Sequence, residues 1–163
     1  MAFDAYLKID GVTGESTRKG FEKQMELMSF SLGVSNPSTV GTGSGGSSGG
    51  KATLTDFSVM RLTDSASVSL FQQCASGKSY PSAVVSLNKA SGDDTPVTYL
   101  KYEFTEVFVN SIQWSGSSGG TDSPMESVSF TYAKLTATYQ TQTAGGGAGD
   151  PFVASYDQTK ATK

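Results

Sequence analysis

The sequence predicts a mainly β fold of barrel type with one short α-helix. Three observations carry that expectation. Apolar residues alternate with polar ones at period two over most of the chain, and only one segment has helical spacing. The alternation also changes phase in three places, as it does where a strand bends from one sheet towards another. A chain of 163 residues is long enough for one domain with a proper core, so the expected unit is 1–163.

The elements follow in order. Phe3, Ala5, Leu7 and Ile9 alternate with mostly polar neighbours, and GVTGES (11–16) reads as a turn. From Phe21 the apolar positions are odd, with Met25 and Leu27; then Met28, Phe30, Leu32 and Val34 carry them on even positions until Asn36-Pro37 ends the run. Ala52 and Leu54 are even, whereas Phe57 and Val59 are odd. Val128, Phe130 and Tyr132 are even, whereas Leu135, Ala137 and Tyr139 are odd. A slip of one residue in a period-two pattern calls for an inserted residue, so a β-bulge is expected at each of the three sites. Ala83 to Lys89 and the long run 97–114 are further strands, and in the latter Leu100, Tyr102 and Phe104 share a face with Ile112 and Trp114.

TDSASVSLFQQCASGK (63–78) is the helix. Asp64 is placed to cap its N-terminus, Ser65 to Ser67 form the first turn, and Gly77 suits the left-handed C′ position with Lys78 beside it. Val68, Phe71, Cys74 and Ala75 are the expected apolar face, and Cys74 reads as a small core residue.

Between these elements lies TVGTGSGGSSGGKAT (39–53), which contains two nucleotide-binding patterns. Gly41, Gly43 and Gly46 match G-x-G-x-x-G; Gly45, Gly50 and Lys51 match a P-loop except that Ala52 replaces the metal-binding hydroxyl. Both patterns need a helix to follow, because the phosphate rests on helix N-terminal amides. Here KATLTDFSVMRL follows with strand alternation. The stretch is a loop, and at about 36–51 it is an unusually long one, of the kind that is functional or disordered.

Composition narrows the function. The net charge is −3 and the 12 basic residues are scattered, so a nucleic-acid partner is not expected. No histidine is present, which excludes a Ser-His-Asp triad, and the single Cys74 excludes an internal disulfide. The adjacent Asp93 and Asp94 lie in a Gly/Pro turn and read as solvated rather than as metal ligands. Glu103 and Glu106 have opposite parity and would point apart on a regular strand, so a hydrolase built on them is disfavoured. No cofactor, metal or enzymatic activity is expected. No run approaches the about 18 apolar residues of a membrane span, and Asp4 and Lys8 interrupt the first ten residues, so synthesis in the cytoplasm without a signal peptide is expected.

Several blocks resemble one family. YLKIDGVTGES, FSLGVSNP, LTDFSVMRLTDSAS, LFQQCASGK, YLKYEFTEVFVNSIQWSGSSGG and ESVSFTYAKLTATY occur in register with the haemolysin-coregulated protein (Hcp) family from about residue 3 to residue 160. The resemblance implies a two-sheet β-barrel with a helix packed alongside, similar to phage tail-tube subunits. It implies hexameric rings that stack into the inner tube of the type VI secretion system, driven out of the cell by a contractile sheath. Sheath, spike and effector proteins are the implied partners, and small effectors ride in the lumen. The family's extended loop matches about 36–52 here and is expected to reach a neighbouring subunit or ring, with Val40, Thr42, Ser44, Ser47, Ser48 and Lys51 as contact candidates. The alternative is an effector-binding or ligand-binding barrel that acts as free rings.

Overall fold

A computed structural model describes residues 3–40, 49–89, 96–120 and 122–163. The elements run β1 (Phe3–Ile9), β2 (Met25–Leu27), β3 (Ser29–Ser31), β4 (Val34–Ser35), β5 (Thr53–Leu54), β6 (Phe57–Leu62), α1 (Ser65–Ser76), β7 (Ser79–Lys89), β8 (Val97–Ser115), β9 (Met125–Gln142) and β10 (Ala148–Asp157). The mainly β expectation holds, with one helix among the described residues. An eight-stranded antiparallel sheet runs β2-β1-β7-β8-β9-β6-β3, with β10 added to β9, and β4 and β5 form a separate two-stranded sheet.

The large sheet does not close through a continuous ladder. Its two end strands, β2 and β3, are consecutive pieces of one segment: β2 pairs with β1 and β3 with β6. Between them Met28 donates its amide to the Met60 carbonyl at 2.8 Å. The chain therefore steps across the seam at the first phase change seen in the sequence. The second change, between Leu54 and Phe57, marks the passage from the small sheet to the large one.

The third change has a different cause from the expected bulge. β8 and β9 keep one register from Leu100↔Tyr139 to Val109↔Phe130, with no residue inserted where the phase of β9 shifts. Instead both strands turn over together at Glu106, whose φ is 53°. The buried residues pass from Phe104 to Val107 on β8 and from Tyr132 towards Leu135 on β9. The inserted residue lies further along β8, between Val109 and Ser111. Two irregularities thus cancel, which is why Phe104 and Ile112 both face inwards, as their shared parity predicts.

Inside, Phe57 stacks on Phe104 at 4.7 Å and on Phe130 at 5.8 Å, and Tyr132 meets Phe104 edge-on at 4.7 Å. Leu7, Ile9, Val59, Val85, Val107 and Val128 complete the core with Leu70 from the helix. Phe21 is not on a strand. It lies in the turn before β2 and stacks on Tyr6 at 4.8 Å. β10 is not among the expected strands, and it contains Pro151, a residue that disfavours strand pairing. Pro151 follows a register irregularity, and it shares the parity of Asp157, whose amide points away from β9 to the Thr162 carbonyl, so the missing amide costs no bond to β9.

Helix α1 has the predicted ends. Asp64 accepts from the Ala66 amide at 2.9 Å while its own amide donates to Ser67 Oγ at 3.0 Å, a reciprocal cap. Gly77 closes the C-terminus at φ 70°, a conformation that disfavours any side chain. The buried face differs from the expected one. Ala66, Ser67 and Leu70 face the core, Val68, Phe71 and Ala75 are exposed, and Cys74 is half-buried. The sheet meets the helix one position away from its most apolar stripe, because Phe71 has another partner.

Candidate functional site

The molecule carries no cluster of catalytic groups among its described residues. It carries two unlike outer faces. The ladders place Leu62, Met125 and Ser115 on one rung; Ser29, Met60, Ser127 and Gln113 on the next; and Ser31, Ser58, Ser129 and Ser111 on a third. All project away from the core, and none is charged. Ser58 and Ser129 share a hydroxyl hydrogen bond at 3.1 Å. The opposite flank of the sheet mixes charges into hydroxyls: Lys8, Val84, Glu103, Thr136 and Ser155 form one rung and Ser82, Thr105, Lys134 and Asp157 another. The ion pair of Glu103 with Lys101 at 3.2 Å is half-exposed and contributes little.

The uncharged face is bounded by unpaired backbone. Among the described residues β3 pairs with β6 alone, and the ladder between β7 and β8 ends at Ser79↔Phe108. Residues 109–115 of β8 therefore have β9 on one side and no described strand on the other.

Under this face, one inward rung breaks the apolar rule. Arg61, Glu126 and Trp114 are direct cross-strand neighbours on β6, β9 and β8. Arg61 is 1% exposed and Glu126 is 0% exposed, so both must be compensated from within. The Arg61 guanidinium grips Asp64 Oδ1 through Nη1 at 2.9 Å and also through Nη2, and Arg61 Nε stands 3.2 Å from Glu126 Oε2. That last approach is an ion pair without hydrogen-bond alignment. The other carboxylate oxygen accepts from Trp114 Nε1 at 2.7 Å. The network ties the helix cap to the sheet and fixes the Trp114 ring, which stacks on Phe71 at 5.3 Å with 28° between the planes. Trp114 and Phe71 are each 49% exposed.

Comparison with known proteins supplies the context. The model of the family described as "Type VI secretion system effector, Hcp" matches residues 6–139. The chain belongs to the Hcp family. It is 36% identical to Protein hcp1 of Pseudomonas aeruginosa over 146 residues, covering 90% of this chain and 88% of that protein. A solved structure of a type six secretion system protein superposes with a TM-score of 0.92 at 33% identity, covering 99% of both chains. Hcp1 from Salmonella typhimurium superposes with a TM-score of 0.78 at 34% identity, covering 98% of this chain and 97% of that one. Membership makes this Hcp chain a structural protein of type VI secretion rather than an enzyme.

Of the loop residues singled out in the sequence, Val40 and Lys51 are exposed on an arm that carries β4 and β5. Thr42, Ser44, Ser47 and Ser48 lie outside the described residues, as do Asp93 and Asp94. One glycine of the arm has a steric reason: a side chain at Gly50 would collide with the Pro37 carbonyl where the two limbs approach. Glu106 is exposed, and because the strand turns over there, the parity argument that separated it from Glu103 does not apply. The sequence reading passed over Arg61 and Glu126. Their signal was present, since each falls in phase with the buried apolar residues of its strand.

Proposed function

We propose that this chain is the ring-forming subunit of the type VI inner tube. Six copies close a ring by joining the free edge of β8 at 109–115 to the free β3 edge of the next copy, and rings stack into a tube that the sheath expels. The uncharged rungs of Ser, Met and Gln line the bore, and effectors travel in it. The arm around 36–51, with Val40 and Lys51, reaches the neighbouring subunit or ring, and spike and sheath meet the tube from outside.

The observation that carries this reading is the pair of unpaired edges flanking one uncharged four-stranded face. Exposed edges template uncontrolled pairing unless something covers them. A heterologous contact between unlike edges covers both, and closes when the rotation per copy permits. An uncharged wall of hydroxyls also suits a bore, because no fixed charge there would arrest a passing protein.

Mass measurement and electron microscopy of the purified chain test this directly. Six-membered rings are expected; a strictly monomeric species at high concentration overturns the reading. Removal of residues 41–50 then separates stacking from cargo retention, since stacking is expected to weaken while single rings persist.

A further inference from the structure

We infer that the Phe71–Trp114 face is a docking site for the β4–β5 arm of the adjacent copy in the ring. The inference rests on the ring reading above and adds the acceptor surface to it.

The stacked pair has no structural need to be outside. Phe71 is an exposed aromatic on a helix that already buries Ala66 and Leu70, and Val68 beside it is exposed as well. Two exposed apolar side chains on the helix, Val68 and Phe71, beside a Trp114 ring held from below on β8, are the pattern of a contact anchor rather than of a solvated surface. The rigidity is built in. The indole nitrogen is tied to Glu126, Glu126 lies against Arg61, and Arg61 is held by the helix cap at Asp64. The ring therefore loses little freedom when it is covered.

Three features select the arm as occupant. First, Trp114 belongs to the stretch of β8 whose far edge is unpaired. A neighbour that adds its β3 there brings β4 with it, because only Leu32 and Gly33 separate the two strands. Second, the arm exposes apolar side chains: Val34 is 63% exposed and Val40 is exposed too, and among the described residues β4 pairs only with β5. Third, the chemistry matches. From Leu32 to Leu54 the only charged residue is Lys51, and the ionic groups beneath the aromatic pair are paired with one another.

Trp114 is the sole tryptophan, so its fluorescence reads the site without a label. The full-length chain is diluted stepwise while its mass and its acrylamide quenching are followed together. Assembly is expected to shift the emission to the blue and to reduce quenching at least about twofold, as a half-exposed indole becomes covered. Rings whose Trp114 quenches as freely as in the monomer overturn the inference and leave the ring reading standing. A chain that never associates overturns both. Phe71→Ser and Val34→Ser each leave the far-UV spectrum of the monomer unchanged and raise the concentration for half-assembly roughly tenfold or more. The double variant is expected to be little worse than either single one, since the two side chains lose the same contact. Fully additive effects, or singles that assemble as the parent does, overturn it.

Discussion

Trp114 Nε1 donates to Glu126 Oε1 at 2.7 Å across one rung of the ladder between β8 and β9, and on the next strand of that rung stands Arg61. A half-exposed aromatic ring is thus fastened to a fully buried ion pair. Removing the carboxylate with Glu126→Ala leaves the Arg61 guanidinium without one of its two counter-charges, at a cost of about 3 kcal/mol or more. Glu126→Gln keeps an acceptor for the indole and is expected to be milder. Urea denaturation followed by Trp114 emission orders the two variants.

The helix cap has two roles that separate by substitution. Asp64→Ala removes both the acceptor for the Ala66 amide and the partner of Arg61. The loss is about 2 kcal/mol, of which about 1 kcal/mol is the cap alone. Asp64→Asn retains the cap and loses the charge, so it falls between the parent and the alanine variant. Circular dichroism at the helix band through a denaturant series measures both.

Alkaline pH is expected to weaken the fold through Tyr132. Its hydroxyl donates to the Thr55 carbonyl at 2.8 Å. Burial, and secondarily the Asp56 carboxylate, pushes its pKa up from 10.0 to about 12. The neutral phenol is favoured in the folded state, so this contribution is complete below pH 10 and lost as the pH climbs from 10 towards 12. Burial raises Tyr6, Tyr80 and Tyr102 in the same direction. Tyr132→Phe flattens the slope of stability against pH in that window while lowering stability at neutral pH by the lost hydrogen bond, about 1 kcal/mol. Denaturation midpoints between neutral and strongly alkaline pH check both parts; an unchanged slope refutes the assignment.

Phe104 sits between Phe57 and Tyr132, at 4.7 Å from each ring, on the strand segment just before the turnover at Glu106. Phe104→Ala removes both contacts and leaves a cavity that two ladders prevent from collapsing, costing about 3–5 kcal/mol. The loss is read as a lowered unfolding midpoint, larger than that of a Phe71 substitution measured on the monomer.

Local chemistry was legible in the sequence. Alternation marked nearly every strand, and Asp64 and Gly77 marked the ends of the helix, because capping and pleating are settled by residues within a few positions of one another. The charges of Arg61 and Glu126 were visible in the buried phase, and the family was visible in ordered blocks. The sequence alone did not decide which stripe of the helix would be covered, nor that Phe71 would leave the core for Trp114, forty-three positions away. It did not show that the phase change in β9 answers a turnover of β8 at Glu106, or that the Pro151 segment pairs as a strand. Those outcomes depend on which strand lies opposite which. A period-two pattern states that one side of a strand avoids water; only the assembled sheet supplies the neighbour that takes the water's place.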